Sequence, residues 1–264
     1  MAFRTMKDRQ MSVSPAILKS DHNNYLHQER TDLAAAFHLA VLNDWHEAIA
    51  NHFSLAVSDD GKQFLMNPRW RHFSRISASN LLLLDADDKS TIDQPGAPDP
   101  SAWYIHGAIH RKVPGARCLL HVHSPYATAL SSLADPQIKP IDQNTARFFN
   151  RVAYDMDYGG IAHREDEGER IASCLADFKI IMMANHGIMV IADTVAQAYD
   201  DLYYLERACK TLMLAYASGQ PLNIMSDDLA ERTAQDWEAY SDSAISHFDE
   251  MKQVLVGQGA CFAD

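Results

Sequence analysis

Two histidines, His121 and His123, stand two residues apart in the segment RCLLHVHSPYATAL. In a strand, residues i and i+2 point to the same face, so both imidazoles share one side and Val122 faces the opposite layer. Such a pair can hold one divalent metal ion, or it can be two hydrogen-bonded histidines of a core. A third imidazole is available from His186 in MMANHGIMV, which follows an apolar run and precedes Gly187, where the backbone can turn sharply. Three imidazoles with an open position describe a catalytic Zn²⁺ site, and they also suit Fe²⁺, Mn²⁺ or Co²⁺. His106 and His110 lie four apart on an expected helix, a spacing that can also bind metal. No glutamate follows His106, and the plainer reading is polar residues lining one edge of the sheet. His38, His46, His52, His72, His163 and His247 have no partner spacing.

The elements that must position these residues follow from periodicity and turn chemistry. A helix is expected over residues 29–50, because Leu33, Phe37, Ala40, Val41 and Trp45 fall near a 3.6-residue spacing. Strands are expected over 53–57 and 63–66, joined by the hairpin turn Ser58-Asp59-Asp60-Gly61. A third strand is expected over 81–84, then a loop rich in proline and aspartate over 86–100. Ser101 is placed as the cap of a helix through Lys112, ended by Pro114 and Gly115. A strand over 117–123, helices over 125–133 and 165–176, and strands over 179–184 and 188–191 follow. Helices over 194–217 and 227–254 complete the chain. The mixture of hairpins and helices predicts an α/β fold with a largely antiparallel sheet. Residues 1–28 read as an N-terminal extension, and residues 29–264 as a single domain.

Composition narrows the function. The 264 residues are 47% hydrophobic and 22% charged, and the net charge is −12. These values exclude a disordered or disulfide-scaffold chain, and the charge offers no basic footprint for nucleic acid or anionic membranes. No apolar run approaches a membrane span. The four cysteines, Cys118, Cys174, Cys209 and Cys261, form no Cys-x-x-Cys pair and read as free thiols. The N-terminus lacks the apolar core of a signal peptide, so a cytoplasmic location is expected.

Taken in order, the opening helix and the segments EAIANHFSLAV, SAWYIHGAIHRKVPGARCLLHVHSPYATAL, DYGGIAHREDEGERIA and MMANHGIMVIADTVAQAYDDLYYLERACK resemble the class II aldolase/adducin superfamily. The resemblance spans roughly residues 29–220, and HGAIHRKVPGARCLLHVHS looks closer to the adducin-like bacterial branch than to the sugar-phosphate aldolases. It implies a three-layer α/β/α sandwich and a homotetramer with its active site between subunits. It also implies one divalent metal ion per chain, zinc first, held by His121, His123 and His186. Asn51 matches a substrate-binding asparagine of some members. The acid–base glutamate of the aldolases falls on Ala102, just before the Trp103–His106 segment, and alanine has no titratable group. His106, Tyr126 and Asp142 are the remaining candidates in this chain for moving protons. The Gly and Thr residues that cradle a sugar phosphate are missing around Asn51-His52-Phe53.

The function expected from this resemblance is a metal-dependent lyase of aldolase or decarboxylase type. Its substrate would be a small hydroxy- or keto-carbonyl compound, cleaved through a metal-stabilised enediolate. The alternatives are a non-catalytic adducin-like interaction module, suggested by Ala102, and an iron-dependent oxygenase of the same fold.

Overall fold

A computed structural model describes residues 26–93, 96–157, 165–240 and 242–264. The extension expected over 1–28 falls outside the described residues up to position 25, as does most of DYGGIAH in the 157–163 segment.

Among the described residues, seven strands form one sheet: β1 (His52–Ala56), β2 (Gln63–Met66), β3 (Leu82–Asp85), β4 (Cys118–Val122), β5 (Val152–Asp155), β6 (Ile180–Met183) and β7 (Gly187–Ala192). Their order is β3-β2-β1-β4-β7-β6-β5. Every pairing is antiparallel except β5 with β6. Among the described residues, eight α-helices cover the sheet: α1 (His27–Leu42), α2 (Pro100–Lys112), α3 (Pro125–Ser131), α4 (Gln143–Ala146), α5 (Glu165–Leu175), α6 (Val195–Ala217), α7 (Asp227–Ala239) and α8 (Ser243–Gly257).

The strands read as two-faced because their residues alternate. Phe53 and Leu55, Leu120 and Val122, and Ile188 and Val190 point into a large core with Phe37, Tyr199 and Leu205 of α1 and α6. Leu119, Met189 and Ile191 point the other way, onto Ile105 and Ile109 of α2 and Ile171 and Leu175 of α5. The result is the expected α/β/α sandwich, with β4 central and buried along its whole length.

Several boundaries differ from expectation. Helix α1 stops at Leu42, not near residue 50. Asp44 adopts φ 59°, and Trp45 leaves the helix to pack against Tyr199 and Tyr203 of α6. The released segment returns to the sheet and carries Glu47 and Asn51. Asp99, not Ser101, caps α2: its carboxylate accepts the Ser101 N–H at 2.9 Å, with Pro100 in the first turn. The helix expected over 227–254 is two helices, α7 and α8, and strand β5 and helix α4 were not foreseen. The loop over 86–100 contains a 3₁₀ turn at Lys89–Asp93. The Ser58–Gly61 hairpin forms as expected, with Gly61 at φ 69°. All four cysteines are free.

Candidate metal centre

His121 is next to last in β4, and His123 lies one residue past its end. His186 sits in the three-residue turn between β6 and β7, where Asn185 takes φ 56°. The turn carries His186 across to β4. One ring nitrogen from each of the three histidines lies within 4.8 Å of the others. Gly187 makes this approach possible. A Cβ there would stand 2.6 Å from the Val122 carbonyl oxygen and 2.8 Å from Cδ2 of His123.

The hydrogen bonds fix which nitrogens face one another. His121 Nδ1 donates to the Ile188 carbonyl at 2.9 Å, and His123 Nδ1 donates to the Glu47 carboxylate at 2.6 Å. Both partners are acceptors only, so in the neutral imidazoles the protons reside on Nδ1 and both Nε2 atoms are bare. These two Nε2 atoms lie 3.1 Å apart. Two lone pairs at that distance repel unless a cation lies between or beside them. The residues therefore fit a divalent ion, and Ile188 and Glu47 stand where the outer partners of metal-binding histidines would. Burial and the neighbouring His123 depress His186 to about 4, and burial with the adjacent histidines pushes His121 well below its usual range. Both are neutral near pH 7, the form a metal needs.

The polypeptide around the three histidines is tied down from the other layer. Glu206 of α6 is buried and accepts Ser124 Oγ at 2.7 Å, Tyr126 N–H at 2.8 Å and Ala127 N–H at 2.9 Å. These are the first donors of α3, so one carboxylate satisfies a helix N-terminus and fixes the corner just after His123. Asn51, held at φ 72°, accepts the His123 N–H through Oδ1 at 3.5 Å. Its Nδ2 is buried and has no hydrogen-bond partner among the described residues.

The other candidates are placed as follows. Asp142 caps α4, accepting the Thr145 N–H at 2.8 Å. Tyr126 gives its backbone N–H to Glu206, and Lys210 Nζ lies 5.3 Å from its ring centroid. Ala102 is buried beside Trp103, Phe64 and Met66. His106 and His110 do not line an exposed edge; both are buried and bonded through Ser54 to the sheet. His52, which had no partner in the sequence, lies opposite His121 in the β1–β4 register, with the two rings 4.8 Å apart. Glu47 and Glu206 were also missed, because their partners lie 76 and about 80 residues away. A cleft of about 500 Å³ lined by Arg147, Phe178, Lys179 and Trp237 lies at the opposite end of the sheet, before β6 and after β7. It is remote from the three histidines, and its Arg147 and Arg151 are paired with Asp200, Asp201, Glu231 and Glu238.

Residues 31–213 match the family described as Class II Aldolase and Adducin N-terminal domain. The chain belongs to the class II aldolase and adducin family. Class II aldolases generally use a divalent metal ion. A Caulobacter vibrioides protein named for aldolase class 2 is 32% identical over 209 residues, 79% of each chain. The decarboxylase NovR of Streptomyces niveus is 28% identical over 208 residues, 79% of this chain and 76% of NovR. Among solved structures, an aldolase II superfamily protein from Pseudomonas syringae superposes with a TM-score of 0.82 at 30% identity, covering 90% of this chain and 96% of the other. No helix among the described residues is long and apolar enough to cross a membrane.

Proposed function

We propose that this protein is a divalent-metal-dependent lyase, of decarboxylase or aldolase type, that acts on a small hydroxy- or keto-carbonyl compound. The observation that carries this reading is the approach of the Nε2 atoms of His121 and His123, 3.1 Å apart, with His186 beside them. His121, His123 and His186 would hold the ion, zinc being the first choice for three imidazoles. When bound, such an ion polarises two oxygens of the substrate and stabilises the negative charge that develops as a bond to carbon breaks. Glu47 and the Ile188 carbonyl keep the two strand histidines in the ligating tautomer and orientation. Asn51 presents next to His123 an amide N–H₂ that no described residue bonds, ready to donate to a substrate oxygen. Ala102 leaves the first turn of α2 without a carboxylate, so protons do not move by the aldolase glutamate. A named decarboxylase is among the similar proteins.

The protein is read as a cytoplasmic homotetramer acting on a small molecule, without a nucleic-acid or membrane partner. Exposed Leu214, Ile245 and Val256 give α6 and α8 apolar surface for contact between copies.

The test is a panel of 2-hydroxy and 2-keto acids offered to metal-replete protein, with release of carbon dioxide or aldehyde measured. Turnover that His123→Ala abolishes while the circular dichroism spectrum is retained supports the reading. Turnover that survives in His123→Ala, or none with any member of the panel, counts against it and favours an adducin-like interaction module.

A further inference from the structure

A chain of buried hydrogen bonds runs from the metal centre into the α2 layer. His52 Nδ1 meets His106 Nε2 at 2.7 Å. His106 Nδ1 meets Ser54 Oγ at 2.5 Å, and the same Ser54 Oγ meets His110 Nε2 at 2.7 Å. His110 Nδ1 then meets the Ala116 carbonyl at 2.7 Å. The spacing explains the assembly: His52 and Ser54 alternate onto one face of β1, while His106 and His110 are one turn apart on α2. Ser54 and His106 are fully buried, and His110 nearly so.

Only the last link has a fixed direction, and it sets all the others. A carbonyl accepts and cannot donate, so His110 Nδ1 carries a proton. Burial depresses His110 to about 4, so the ring is neutral and its Nε2 is bare. Ser54 must then donate to His110, and its oxygen is left to accept from His106 Nδ1. Burial also holds His106 well below its usual range, so its Nε2 accepts from His52 Nδ1. His52 thus has its proton on Nδ1 and a bare Nε2, on a ring whose centroid lies 4.8 Å from that of His121. No described residue bonds that nitrogen.

We propose that this one-way relay makes His52 a hydrogen-bond acceptor at the metal centre, selecting ligands that bring an O–H group to the ion. Ser54, His106 and His110 are positioning residues that set the tautomer of His52 from the Ala116 carbonyl. The inference rests on the lyase reading for its ligand, but not for the relay itself.

Two measurements separate the two. In metal-free, ¹⁵N-labelled full-length protein, long-range NMR correlations report which ring nitrogen of each histidine carries its proton. The expected result is Nδ1–H for His52, His106 and His110, with the His52 proton moving to Nε2 in Ser54→Ala and in His110→Gln. A wild-type His52 with Nε2–H, or a His52 tautomer indifferent to both replacements, overturns the relay whatever the metal does. In zinc-loaded protein, glycolate has a hydroxyl donor and oxalate has none. Ser54→Ala should weaken glycolate binding about tenfold, the loss of one net hydrogen bond, and leave oxalate unchanged. Equal weakening of both ligands, or of neither, overturns the acceptor role. Failure to load zinc would sink the lyase reading, leaving the tautomers to decide the relay.

Discussion

Three imidazoles alone do not make a metal site; their tautomers and their approach do. Gly187 serves the approach, and its replacement is a sharp test. Gly187→Ala puts a methyl carbon where Val122 and His123 already stand, so His123 must move. Metal affinity should fall at least tenfold, read by competition with a chromogenic chelator, while the sheet keeps its circular dichroism. Glu47 serves the tautomer. Glu47→Ala should cost about 10- to 100-fold in metal affinity, the range for outer partners of ligating histidines. The sequence showed His121 and His123 on one face because two residues suffice to define a strand face. It showed nothing of Glu47 or His52, because their partners are supplied by the fold, 76 and 54 residues away. His38 and His247 were unreadable for the same reason: one bonds the Ile76 carbonyl and the other bonds Asp200.

Elements act here as fixtures. Glu206 of α6 reaches across to the start of α3 and takes three donors at once. Removing it leaves buried N–H groups without partners at about 1–3 kcal/mol each. Glu206→Ala should therefore destabilise the protein by roughly 3 kcal/mol, measured by urea unfolding, and should also weaken metal binding, since the corner after His123 loosens. The long helix that carries Glu206 was legible in the sequence, but nothing there marked the glutamate as buried. Helix ends were less legible than helix interiors. The end of α1 is marked locally only by Asn43, its C-cap, and Asp44 at φ 59°, and Trp45 then packs on the aromatic face of α6. The separation of α7 from α8 has no proline or glycine to announce it, and β5 is only four residues long.

At the scale of the molecule, burying so many histidines near one another shapes the response to acid. His52, His106, His110 and His121 are all depressed, chiefly by burial, and the folded chain keeps them neutral. The unfolded chain protonates them below about pH 6.5. The stability tied to their neutral forms is therefore present above pH 6.5 and is lost as pH falls toward the depressed values, about 4 for His110 and about 3 for His52. In chelator-treated protein at pH 5, unfolding should take up about four protons from these groups, measured by the pH dependence of urea midpoints. A stability that stays flat from pH 7 to 5 would mean that these histidines are not buried together.

The central claim is that His121, His123 and His186 hold one divalent ion. It is tested most directly by metal content per chain, measured by mass spectrometry on untagged protein purified without chelator. The account predicts close to one divalent ion per chain, zinc foremost, and its loss in His121→Ala and His186→Ala. A chain that contains no metal, and takes up none when zinc, manganese, cobalt or iron is supplied, would contradict it.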